Sequence, residues 1–132
     1  MKRLIAALTI MVCACTEPDK NALLVGTWRT DSVYSYYNGF GFTRRDFEEE
    51  PVRHYQPDGQ LMMVRGDELR TFLYQVQHGD SLVHRTQDQG LLEKFLIVKL
   101  EGDQMVLQKE LKPILPGEKQ RRYHVRYLSR IK

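Results

Sequence analysis

The chain lacks any apolar run of the roughly 20 residues that a membrane-spanning helix requires; its longest, Leu4 to Val12, ends after about nine. It has only two cysteines, Cys13 and Cys15, separated by Ala14, which excludes a disulfide framework as the support of the fold. Neither Ser81 nor Ser129 stands in a Gly-x-Ser-x-Gly elbow, and no glycine-rich phosphate loop is present. The four histidines, His54, His78, His84 and His124, form no close pair of the kind that zinc sites use. Asp46, Glu48, Glu49 and Glu50 bunch after Arg44-Arg45, but without the spacing of a calcium-binding EF-hand loop. These absences speak against an enzyme, a metal site or a cofactor. Excess charge is also missing. Of a net +3, Lys2 and Arg3 supply two, leaving the remainder near +1, which makes no case for nucleic acid as a partner.

What is present begins with an address. Lys2 and Arg3 precede the short apolar stretch, a pattern that fits a secretory signal. Val12-Cys13-Ala14-Cys15 then places an aliphatic residue at −3 and a small one at −1 before a cysteine. This resembles a bacterial lipobox, in which the cysteine is diacylated and becomes the new N-terminus. Cys15 is preferred to Cys13, which would follow the bulky β-branched Val12. The expected organisation is a signal over 1–14, a lipidated tether over 15–21 and one domain over 22–132. Thr16 after the cysteine, in place of an aspartate, favours the outer membrane, with the lipid on Cys15 as the membrane partner.

Within the domain, Asn21 to Val25 reads as a single helical turn, and no later segment carries a helical stripe over three turns. Turn residues recur at Asn38-Gly39, Pro57-Asp58-Gly59, Gly66-Asp67, Gly79-Asp80, Gly90, Gly102-Asp103 and Pro113 to Gly117. Glycine, asparagine and aspartate accept positive φ or bond their own backbone, so they mark hairpins. A turn every 8–14 residues or so is the rhythm of an antiparallel all-β chain. The alternation puts Trp28, Thr30, Ser32, Tyr34 and Tyr36 on one face, and Phe72, Tyr74 and Val76 together opposite Leu69 and Leu73. Tyr123, Val125, Tyr127 and Ile131 alternate with His124, Arg126 and Arg130. Phe95 to Val98 is apolar on both faces, as if covered outside. About eight strands in sequential hairpins favour an up-and-down barrel, because closure removes exposed edges; a sandwich would need longer crossovers than the chain offers outside residues 38–51.

Gly26-Thr27-Trp28, opening the first strand, resembles the Gly-x-Trp signature of lipocalins. The Tyr55-to-Gly59 turn, Gly79-Asp80-Ser81-Leu82, the paired Ile97 to Leu100 and Met105 to Leu107 strands, and the closing Tyr123 to Arg130 strand follow in the order found in lipocalin-like domains of small bacterial envelope lipoproteins. That resemblance implies a barrel-closing set of Gly26, Trp28 and Arg130, with the guanidinium stacked on the indole; Arg126 is the fallback. It also implies a small apolar ligand for a monomeric, lipid-anchored barrel, against a rival reading as a packed structural or protein-interaction module. Tyr34, Tyr36, Phe40 and Phe42, gathered around the end of the first strand, are the candidate mouth residues, suited to an apolar or ring-bearing ligand. His84 and His124, among apolar neighbours, are expected to face outward, as are the basic residues Lys119, Arg121, Arg122 and Arg126. The acidic run is expected to pair loosely with Arg44 and Arg45.

Overall fold

A computed structural model describes residues 19–46, 50–114 and 119–131; the signal, the lipobox and Cys15 lie outside these. One helical turn, α1 (Lys20–Leu24), is followed by nine strands: β1 (Gly26–Tyr37), β2 (Phe40–Arg44), β3 (Val52–Tyr55), β4 (Gln60–Arg65), β5 (Glu68–Gln77), β6 (Ser81–Arg85), β7 (Leu91–Glu101), β8 (Gln104–Leu111) and β9 (Arg122–Arg130). Neighbours pair antiparallel from β3 through β9, and β1 closes the ring by bonding β9 on one edge and β3 on the other. The result is the expected eight-stranded antiparallel barrel, with β2 as an extra strand. β2 shares an edge of β1 with β3: Gly26 to Trp28 pair with β3, while Val33 to Tyr37 pair with β2. The Asn38-Gly39 turn between β1 and β2 has positive φ at both residues (40° and 92°). Those are the dihedrals of a tight hairpin turn whose twist matches that of its strands.

The period-two reading of β1 fails at one point. The pairing with β9 slips between Thr30 and Ser32, where an extra residue reverses which side chains point inward. Trp28 is buried before the slip and Val33 after it, so Tyr34 and Tyr36 do not share the face of Trp28. They lie on the outside, where Tyr36 stacks on Tyr123 with centroids 4.8 Å apart and Tyr34 packs beside it. Gly41 lies opposite Tyr36, and the Tyr34 ring fills the space a side chain at 41 would need. β9 is likewise inverted relative to its apparent amphipathicity: His124 and Arg126 face a cavity, and Tyr127 is exposed. On β7, Leu96 and Val98 point outward and are exposed, while Phe95 and Ile97 are buried. In β5, Phe72, Tyr74 and Val76 do share the core side, and Leu69 is exposed.

The core fills the end of the barrel nearest α1. Trp28, Leu24, Leu61, Leu82, Met105 and Leu107 are all fully enclosed there. The Trp28 indole donates to the Leu24 carbonyl at 2.8 Å, binding α1 to the floor. Arg130 lies over the Trp28 ring at 4.4 Å and donates to the Leu23 carbonyl (2.8 Å) and to the Val25 carbonyl (2.5 Å). Gly26 makes this approach feasible: its φ is +136°, and a Cβ there would collide with the Arg130 guanidinium. Gly26→Ala is therefore expected to cost about 2–3 kcal/mol, from a strained backbone plus displacement of Arg130. Urea unfolding checks this; a loss under about 0.5 kcal/mol, the range of an ordinary surface change, would remove Gly26 from the closure.

Candidate functional site

The interior has two storeys. Above the apolar floor the same strands turn inward side chains that are polar or charged. β3 contributes Arg53 and Tyr55, β6 His84, β7 Glu93, β8 Lys109, and β9 His124 and Arg126. Alternation explains the placement: Arg53 and Tyr55 are two apart on β3, as are Glu93 and the core residue Phe95 on β7.

At the centre, Tyr55 Oη lies 2.9 Å from His84 Nε2. His84 Nδ1 lies 3.6 Å from Glu93 Oε2, beyond a direct hydrogen bond but within electrostatic contact. Lys109 Nζ donates to Glu93 Oε1 at 3.1 Å. His84 is fully buried, which corrects the expectation that it faces outward. Burial drives its pKa down, against the opposing influence of Glu93. A neutral ring accepting from Tyr55 at Nε2 and carrying its proton at Nδ1, toward Glu93, fits this geometry. Tyr55 is pushed up to about 12, chiefly by burial. Glu93 is held down at about 2, first by the His84 ring and then by Lys109, while burial opposes. Tyr55 also meets Tyr74 edge-on at 4.9 Å.

Above this network, at the end opposite α1, opens a cavity of about 700 Å³. Val33, Phe42 and Pro51 give it apolar walls; Arg44, Arg65 and Arg126 face Asp46 and Glu50 across it, with Ser35 and His124 completing the lining. A second cavity of about 280 Å³, between Met63, Phe72 and Leu92, adjoins it through Pro51 and Arg65. Arg126 pairs with the Glu50 carboxylate and donates to Thr30 Oγ1 at 3.0 Å. Its pKa is lowered by burial and by the neighbouring charge of Arg53. Burial, and after it the charges of Arg126, Arg122 and Lys109, lower that of His124.

Of the mouth residues expected from sequence, Phe42 lines the cavity; Phe40 shares its face of β2 but is 77% exposed, and Tyr34 and Tyr36 lie on the outer wall. Gly26, Trp28 and Arg130 meet as expected, and the fallback Arg126 belongs to the cavity instead. Glu50, from the acidic run, pairs with Arg126. The sequence points to His84 only as an outward-facing residue and does not single out Arg53, Glu93 or Lys109. A signal for them existed: each stands two positions from a large apolar residue in its strand (Tyr55, Leu82, Phe95 and Leu107), hence on the face that apolar residue shares.

No family model matches the chain, and no curated protein matches it.

Proposed function

We propose that the protein is a lipid-anchored envelope lipoprotein whose lipocalin-like barrel holds one small ligand at its open end. The observation that carries the ligand reading is the cavity of about 700 Å³ at the end of the barrel away from α1, within the size range of small-molecule sites. The floor beneath it holds the buried apolar cluster of Trp28, Leu24, Leu61 and Leu107. Apolar walls at Val33, Phe42 and Pro51 suit the apolar part of a ligand. The anchor rests on Val12 to Cys15 and on the charged, short-apolar leader before it.

Two measurements test the two halves. In a bacterial host, the parent chain is expected to incorporate labelled palmitate and to sediment with membranes, and Cys15→Ser to lose both; Cys13→Ser should lose neither. Label retained in Cys15→Ser would refute the anchor. Fatty acids, haem and retinoid-like probes titrated into the protein are expected to give at least one saturable isotherm that Ser35→Trp, which fills the cavity, abolishes. Saturable binding by none, or binding indifferent to Ser35→Trp, would refute the receptacle.

A specific observation favours a second role for the outer wall. Leu96, Val98 and Tyr127 are exposed apolar side chains on the contiguous strands β7 to β9, a surface suited to protein contact.

A further inference from the structure

Among the described residues, the interior contains cationic charge that carboxylates do not match. Lys109 has Glu93, and Arg126 has Glu50. Arg53 has neither: it forms no ion pair among the described residues, is only 7% exposed, and its Nη1 is buried without a hydrogen-bond partner. Its guanidinium carbon lies 5.8 Å from the centroid of the Phe95 ring. A buried guanidinium left this way is costly, because its desolvation is not offset by an acceptor. Close by, Glu50 Oε2 is also buried and without a partner. The chain's own carboxylate thus reaches Arg126 but satisfies the pair of arginines incompletely.

The two arginines belong to one locality. Arg126 reaches down the interior to Thr30, two positions along β1 from Trp28, whose cross-strand neighbour is Arg53. Arg53 is near enough for its charge to act on Arg126, His84 and Glu93 alike. Glu93 is engaged by Lys109, and His84 is neutral, so neither supplies Arg53 with a free anion.

We infer that the cavity selects amphiphiles with an anionic oxygen head, carboxylate or phosphate, which binds at Arg126 in exchange for the Glu50 carboxylate, with the buried charge of Arg53 behind it adding to the attraction. This rests on the ligand-binding reading above and narrows its chemistry. Glu50 is the internal stand-in: it shows that a carboxylate fits on Arg126, and it is attached to a loop, not a strand, so it can withdraw. The apolar body of the ligand then lies along Phe42, Val33 and Pro51, or in the adjoining space beside Met63 and Phe72. A neutral ligand of the same length cannot answer the charge of Arg126 and has no means of replacing Glu50.

The test titrates three probes of one chain length (dodecanoate, dodecyl phosphate and dodecanol) into the full chain, the Glu50→Gln variant and a Glu50→Gln/Arg126→Gln variant, by calorimetry. At least one anionic probe is expected to bind about tenfold tighter than dodecanol, a modest value for a close, partly desolvated charge pair. Glu50→Gln should tighten that anion further, by about fivefold or more, since the competing carboxylate is gone. The double variant, which removes both partners together and leaves no unpaired charge at 50 or 126, should lose the preference. Dodecanol binding as tightly as both anions would overturn the inference while leaving the cavity a ligand site. A Glu50→Gln variant that binds the anion no better would overturn the exchange. Failure of all three probes, where haem or a retinoid does saturate, would also overturn it. Failure of every ligand class would instead bring down the underlying reading.

Discussion

Replacing Trp28 by alanine is expected to remove about 3–5 kcal/mol of stability, the range for deleting a fully enclosed large aromatic. For a domain of this size that lowers the melting temperature by some 10–20 °C or more. Three losses coincide. The indole leaves a void among Leu24, Leu61, Met105 and Leu128, which cannot all move inward from their strands. The Leu24 carbonyl loses the donor that holds α1 to the barrel. The Arg130 guanidinium loses the ring it covers, an interaction of about 0.5–2 kcal/mol. Trp28→Phe keeps much of the volume and an aromatic face but no N–H, and should fall between parent and alanine. Thermal melting by circular dichroism reads the series. An alanine variant melting within a degree or two of the parent would mean that the floor does not depend on this residue.

The second large effect is expected at Glu93. Removing its side chain leaves Lys109 without its partner and His84 Nδ1 facing no acceptor, in surroundings already rich in Arg53 and Arg126. Breaking a fully buried charge pair costs about 3–5 kcal/mol; because Glu93 retains 28% exposure and water can help Lys109, about 2 kcal/mol is the expectation for Glu93→Ala at neutral pH. The pH dependence is the more distinctive readout. With its pKa at about 2 in the fold against 4.5 as reference, Glu93 stabilises the protein above about pH 4.5. That contribution drains away as the pH falls toward 2. His84 acts in the same direction at milder acidity. Burial holds its folded pKa below the reference 6.5, so the unfolded chain takes up the proton first, and stability declines as the pH drops below about 6.5. Urea unfolding at pH 7, 5 and 3 should therefore show the parent weakening at each step. Glu93→Ala should keep the loss between 7 and 5 and show much less of the loss between 5 and 3. If the two proteins weaken in parallel over the lower interval, Glu93 is not the group that carries it.

The barrel itself was legible because its signals are local. Asn38-Gly39, Gly66-Asp67, Gly79-Asp80 and Gly102-Asp103 all fall at hairpins, and a chain of short hairpins has few ways to close. The floor was legible through Trp28 and Arg130, whose pairing across β1 and β9 the resemblance anticipated. The upper interior was not legible, for two physical reasons. A β-bulge has no strong sequence mark, so nothing in Thr30-Asp31-Ser32 announced that the inward phase changes there. And alternation reveals that a strand has two faces without revealing which is inside. In β9 the polar face, His124 and Arg126, is the inner one, while Tyr123, Val125 and Tyr127 form the outer one. A reader who sends apolar residues inward by habit inverts that strand. His84 was misplaced for the same reason: within Leu82-Val83-His84, it shares a face with Leu82, and that face is the core.

The position of α1 also fixes a direction. The turn that begins at Lys20 is stitched to the floor by Leu24, Trp28 and Arg130, so residue 19 enters at the sealed end and the cavity lies at the far one. Chain entry and cavity thus occupy opposite ends of the barrel.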